Sequence, residues 1–451
     1  MNSSAEHFVS RRSLVARRHP NEVLLFFNHA EIPRTAYGIN FPFRGNSHFL
    51  YLFGHLPPGT VGLIGPEGAE LFLRETSRED EVWNGVGPTA EQTKADTGVE
   101  RLHPVQALAS RVAELTGGHK APGTVPSVNP VTAAFQRSVL GSTPGLVGLN
   151  RELAETLIEL RLHHDAEAIR ELRCATAVTV DAHKAAARMI EPGVRTWEVL
   201  AALRSEVTRA GCAEAYLPIV TPNGEVLHPS MCEEVCREGD LLLIDYGAES
   251  PGGFAGDMTR TYPVGRISTE KREAYELVLR VQREAIASVR PGVRYRDLHL
   301  QAARSFAAGF VDLGILRGDP DSLVERGAHA LFFPHGLGHL LGLDVHDLRE
   351  FGDLAWYAPG RERSTQFGLS FLRFDRDLEP NMTVTIEPGF YYIPRLLNDP
   401  TFAAPFEDVL CRPRLAQFAD LHGIRIEDDV LVVDGGCEVL TSAMPKELDL
   451  L

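Results

Sequence analysis

No stretch of this 451-residue chain approaches the roughly 20 consecutive apolar residues that a membrane-spanning helix requires. The first twenty residues, MNSSAEHFVSRRSLVARRHP, contain Arg and Ser but lack the apolar segment of a secretory signal. Cysteine is sparse. Cys174, Cys212, Cys232, Cys236, Cys411 and Cys437 are scattered and form no CxxC pair, a pattern of reduced thiols rather than of a disulfide framework. A basic stripe is also missing, and the net charge of -16 argues against nucleic acid as the main ligand, because phosphate binding needs clustered Lys and Arg. The expectation is a cytoplasmic protein with no membrane and no nucleic-acid partner, whose acidic sites favour cations and free amines.

With 44% hydrophobic and 24% charged residues, the chain has the composition of an ordinary globular protein, and its length exceeds what one core supports. The expected architecture is mixed α/β (α+β) in two domains, residues 1–160 and 161–451. The first reads as a small α/β domain, with a helix over 8–18 and strands at EVLLFF (22–27), TVGLIG (60–65) and AELFL (69–73). Asn150 and Asp165 are read as N-caps of helices starting at Arg151 and Ala166. In the second domain, helices over 166–190 and 197–209 precede strands at 216–220, 240–246 and 254–264. Helices over 270–289 and 296–313 then precede strands near 383–390 and 424–433. Two helices followed by strands, twice over, predict a pseudo-symmetric domain with helices packed on a curved sheet.

The chemistry centres on DLLLIDYGAESPGGFAGD (240–257), which reads as a β-hairpin carrying Asp245 and Asp257 on its two arms. An ionised aspartate in an apolar strand needs several kcal/mol of compensation, and two brought together repel, so a divalent cation is the natural partner. Glu387 in TVTIEPGFY and Glu427 in GIRIEDDVLVV interrupt two further apolar segments. PHGLGHLLGLDVHD (334–347) contributes His335, His339 and His346, and NGEVLHPS (223–230) contributes His228. Two Asp, two Glu and one His suit a pair of hard or borderline ions such as Mn, Co or Zn. Any one of these acids alone reads as a cap, turn or surface residue; four of them breaking four apolar segments do not.

At LLIDYGAE, GDMTRTYPV, PHGLGHLLGLDVHD, TIEPGFY and GIRIEDDV the chain resembles the pita-bread metallopeptidases that act on Xaa-Pro bonds, the prolidase and aminopeptidase P group. FRGNSHFLYLFG (43–54) resembles the N-terminal domain of the aminopeptidase P type. The resemblance implies Asp245, Asp257, His339, Glu387 and Glu427 as ligands of two divalent ions, most readily Mn2+, with Asp257 and Glu427 touching both and a hydroxide between them. It further implies that Glu387 handles the water's proton, that His228 and His346 hold the scissile carbonyl oxygen, and that His335 lines the proline side of the pocket. The homodimer expected here is likewise an implication of the family.

Arg373 in FLRFDRDLEP resembles a prolidase arginine that pairs with a proline carboxylate, and Arg425 is read as a second carboxylate partner or site organiser. With the long segments 347–372 and 393–410, this makes an Xaa-Pro dipeptidase the leading expectation and an Xaa-Pro aminopeptidase the alternative. A non-catalytic binding module of the same fold is a third. The competing reading of Arg373 is an ion pair with Asp375 or Asp377. Two departures from the family pattern stand out: the Asp245 to Asp257 interval of twelve positions is one longer, and Pro229 follows His228 where an aromatic is common. A slipped hairpin register would turn one aspartate away from the metals.

Overall fold

The computed structural model describes residues 5–36, 38–229 and 232–451. They form two compact units, the first running to Arg161 and the second from Leu162 to Leu451.

The first unit is built on a five-stranded sheet in the order Arg101–Pro104, Gly68–Leu73, Val61–Gly65, Leu24–Phe27, Gly123–Thr124. Leu24–Phe27 is buried along its whole length, as its unbroken apolar run requires of a central strand. Leu25, Phe27, Leu63 and Phe72 form one core face with Leu108. Asn150 is not an N-cap. The helix begins at Leu149, and the Asn150 side chain instead accepts from the Thr124 amide at 2.8 Å and donates to Gly145 O at 2.9 Å, tying the helix to the edge strand.

In the second unit the helices Ala166–Ala187 and Thr196–Arg209 precede one set of strands, and Thr269–Ser288 and Tyr295–Asp312 precede another. Asp165 does cap the first helix, accepting from the Ala168 amide at 2.8 Å. That helix ends at Ala187, three residues before the expected Ile190, ahead of the Pro192-Gly193 stop. All named strand pairs here are antiparallel: Thr259–Pro263, Leu241–Asp245 and Ile219–Thr221 form one sheet, and Thr383–Ile386, Asp428–Val433 and Gly436–Val439 another. The two join where the Glu427 amide donates to Thr259 O at 3.0 Å, giving the curved assembly.

The hairpin register is continuous from the Leu241–Pro263 pair to Asp245–Thr259. It carries on through Tyr246 N to Met258 O, Gly256 N to Ala248 O and Ser250 N to Phe254 O. Pro251, Gly252 and Gly253 close it as a three-residue loop, with Gly253 at φ 86° supplying the left-handed residue such loops require. The longer interval therefore causes no slip. Gly247 lies opposite Asp257, and a Cβ there would come within 1.8 Å of Gly256 O, so only glycine fits.

Candidate metal centre

Strand alternation decides which side chains share a face. Asp245 pairs with Thr259, so Asp257, two residues earlier, projects from the same face as both. In the second sheet Ile386 pairs with Asp428, and Gly389 with Arg425 in the short Gly389–Tyr391 and Gly423–Arg425 ladder. The register between them is unbroken and sets Glu387 directly opposite Glu427. Neither glutamate lies within a strand, in contrast to the sequence reading. Each sits in the gap between two ladders, because the Glu427 amide turns to Thr259 O, the Glu387 amide turns to Leu337 O at 2.8 Å, and Pro388 has no N–H to give. The segment around Leu340 bridges Val384, and the Thr385 amide donates to His339 O at 3.0 Å, which puts His339 on the face of Glu387 and Glu427.

Asp245, Asp257, His339, Glu387 and Glu427 accordingly line one cavity of about 780 Å³, together with His228, His335, His346, Arg373 and Arg425. All ten residues singled out in the sequence meet there. Ligand atoms of Asp257, His339 and Glu427 lie within 4.8 Å of one another, and all three residues are buried. His339 Nε2 is 3.5 Å from an oxygen of Asp257 and 3.5 Å from one of Glu387. Its Nδ1 lies 3.0 Å from Leu340 O; an N–H there leaves Nε2 with a lone pair for a cation.

The electrostatics call for positive charge. Burial first, then Asp257, Glu387 and Asp245, push the Glu427 carboxyl well above the usual range. Burial raises Asp257 and Glu387 as well, against the opposing pull of His339. Oxygen donors with one imidazole, held within bonding span and destabilised by their own repulsion, fit divalent cations.

Two residues missed in the sequence organise the acids. The Tyr216 hydroxyl spans Asp245 Oδ1 at 2.7 Å and Asp257 Oδ1 at 2.5 Å. Asp429 Oδ2 accepts the Asp257 amide at 2.9 Å. A single aromatic before Leu217-Pro218 carries no periodic signature, and Asp429 reads as one more acid after Glu427. Arg425 acts as an organiser: its fork engages Asp245 Oδ2, Thr259 Oγ1 at 3.1 Å and the Tyr391 hydroxyl at 3.1 Å. Thr259 Oγ1 in turn donates to Glu427 Oε2 at 2.6 Å.

His335 Nε2 accepts from the Tyr391 hydroxyl at 2.8 Å and Nδ1 meets Gly336 O at 2.8 Å; burial pushes its pKa down to about 3, so it is a neutral wall residue. Burial, then Arg425 and Arg373, lower His228. Arg373 contacts His346 Nε2, while Arg349 lies 3.4 Å from His346 Nδ1. The competing reading of Arg373 as an ion-pair partner does not hold: Arg294 takes Asp375 in two contacts of 2.6 Å, and Arg361 takes Asp377 at 2.9 Å. Among the described residues no carboxylate pairs with Arg373.

A mixed α/β unit whose sheet faces converge on buried carboxylates and one histidine has the make-up of a metal-dependent hydrolase. The chain belongs to metallopeptidase family M24, whose model matches residues 170–434. Residues 8–124 match the N-terminal domain of aminopeptidase P. An Xaa-Pro aminopeptidase of Haemophilus influenzae is 31% identical over 98% of this chain and 95% of its own length. The human Xaa-Pro dipeptidase is 30% identical over 90% of this chain and 83% of its own. Aminopeptidase P of Escherichia coli with the inhibitor Pro-Leu superposes with a TM-score of 0.82 at 29% identity, covering 100% of this chain and 97% of that one. Among the described residues no helix is long and apolar enough to cross a membrane.

Proposed function

We propose that this protein hydrolyses Xaa-Pro peptide bonds, releasing the N-terminal residue from peptides with proline in second place. The reading rests on one observation above others: two separate antiparallel registers, joined at Glu427 and Thr259, turn four acids and a histidine toward one cavity. Asp245, Asp257, His339, Glu387 and Glu427 would hold two divalent ions, manganese being the first choice and cobalt or zinc the others. Bound there, such ions supply Lewis acidity that activates water and polarises the scissile carbonyl.

The chain's own residues do the rest. Glu387 takes the water's proton on a carboxylate oxygen and passes it toward the proline nitrogen. His228 and His346 face the carbonyl oxygen as it gains charge. His335 closes the proline side as an uncharged wall. An Xaa-Pro bond has no N–H, so peptidases that grip that group fit it poorly, whereas this arrangement makes no use of it.

The aminopeptidase reading is preferred to the dipeptidase reading expected from sequence because of the matched N-terminal domain and the full-length likeness to Xaa-Pro aminopeptidases. One observation favours the dipeptidase as a second reading. Arg373 has no carboxylate partner among the described residues, and His346 meets two guanidinium groups although a neutral imidazole accepts through one nitrogen alone; a substrate carboxylate between Arg373 and Arg349 would relieve both. Cleavage of Met-Pro-Gly compared with Met-Pro after chelation and manganese add-back tests both readings. Metal-restored cleavage of the tripeptide supports the first, and cleavage of the dipeptide alone supports the second. Activity indifferent to chelation overturns the metal mechanism. A cytoplasmic homodimer belongs to the same proposal.

A further inference from the structure

His422 occupies a left-handed backbone position at φ 58°, a conformation that strains a non-glycine residue and persists only where its surroundings demand it. Its carbonyl accepts the Tyr392 amide at 2.8 Å, fixing the chain that leads to Ile393 and Leu396 on one wall of the cavity. Its Nδ1 lies 3.0 Å from both oxygens of Glu225, in the loop that carries Leu227 and His228 on another wall. The two backbones also touch: a Cβ on Gly224 would come within 2.6 Å of Gly423 O. We propose that His422 is a positioning residue, whose ion pair with Glu225 sets the spacing of these two walls and thereby holds His228 in the cavity.

The other charged groups around His422 are Asp420, 3.8 Å from Nε2 on its own segment, and Lys271 of the Thr269–Ser288 helix, itself 2.8 Å from Asp420. The Glu225 hydrogen bond raises the His422 pKa above its ordinary value, with burial opposing and the Glu225 and Asp420 charges adding. With Glu225 ionised, the pair is intact below the His422 pKa and is lost as pH rises through it, whereas the His228 pKa is shifted to the opposite side of the ordinary value.

As a statement about catalysis the inference rests on the Xaa-Pro peptidase reading, so its test has one arm that needs no activity. In the full-length chain with labelled histidines, NMR titration assigned with His422→Asn should place His422 above the ordinary 6.5 and return it toward 6.5 in Glu225→Gln. No change on Glu225→Gln overturns the pair. In the metal-loaded enzyme, Glu225→Gln and His422→Asn should each lower kcat/KM on an Xaa-Pro peptide about ten-fold, and the double variant no further, as for residues acting as one unit. Asparagine tolerates the left-handed backbone, so the fold is retained. The alkaline fall of kcat/KM through the His422 pKa should vanish in His422→Asn. Additive losses, or an unaltered pH profile, overturn the positioning role; absence of Xaa-Pro cleavage in the wild type overturns the functional reading and leaves the titration to decide the pair.

Discussion

Glu387 and Glu427 stand directly opposite each other in the gap between two antiparallel ladders, each with its backbone N–H donated to a third segment. That gap lets the buried Glu427 and the partly buried Glu387 share a face while the ladders on either side stay paired. It also stores repulsion, because burial and neighbouring acids raise both groups. Glu427→Gln removes one of the repelling charges. In chelator, its melting temperature should exceed that of the wild type by a few degrees, while the gain on adding manganese should largely disappear. Thermal scans with and without metal check both signs.

Glu387→Gln keeps the size of the side chain but removes the proton acceptor. The expected loss in kcat is about 10²–10⁴-fold, the range for a positioned general base. Single-turnover hydrolysis of an Xaa-Pro peptide at saturating metal measures it. A loss confined to KM would assign Glu387 to binding instead.

Tyr216→Phe deletes the hydroxyl that spans Asp245 and Asp257 and leaves the ring in place. Partners that orient metal ligands are typically worth 10–100-fold in metal affinity or activity, and a manganese titration of the variant should show a weakening in that range.

The candidate site was legible where physics makes a residue conspicuous. Asp245, Asp257, Glu387 and Glu427 interrupt apolar runs at a cost that an ordinary fold avoids. The two-round order of helices and strands was likewise readable from periodicity and from stops such as Pro192-Gly193. Partners set by tertiary approach were not. Tyr216 has no spacing signal, the pairing of His422 with Glu225 spans 197 positions, and Asn150 was drawn from its expected capping role by the nearby edge strand. The competing ion pairs of Arg373 were ruled out only by tertiary approach, because Arg294 and Arg361 reach Asp375 and Asp377.

Arg373→Met separates the two specificity readings. If a substrate carboxylate docks there, Met-Pro cleavage should fall at least about ten-fold with Met-Pro-Gly much less affected, in keeping with loss of a charge-assisted bidentate contact. Parallel kcat/KM measurements on the two peptides decide it. Equal losses would assign Arg373 to holding His346.

Behind the site, Arg260 and Asp428 form a fully buried ion pair at 2.8 Å, with Lys446 2.6 Å from the same carboxylate. Burial alone would raise Asp428, but Arg260 and Lys446 hold it well below the usual range. Its contribution is therefore complete above the unfolded carboxylate pKa of about 3.9 and fades as pH falls below that. Arg260→Met should cost about 3 kcal/mol by urea unfolding at neutral pH, because it removes one of the two cations that hold the buried Asp428 carboxylate and leaves Lys446 as the other. The deficit relative to wild type should narrow in acid.

Anomalous diffraction from a crystal grown in manganese tests the central claim most directly. Two manganese peaks about 3.5–4 Å apart, ringed by Asp245, Asp257, His339, Glu387 and Glu427, are the expected result. Density without manganese between those five side chains, or manganese bound only elsewhere on the molecule, would contradict it.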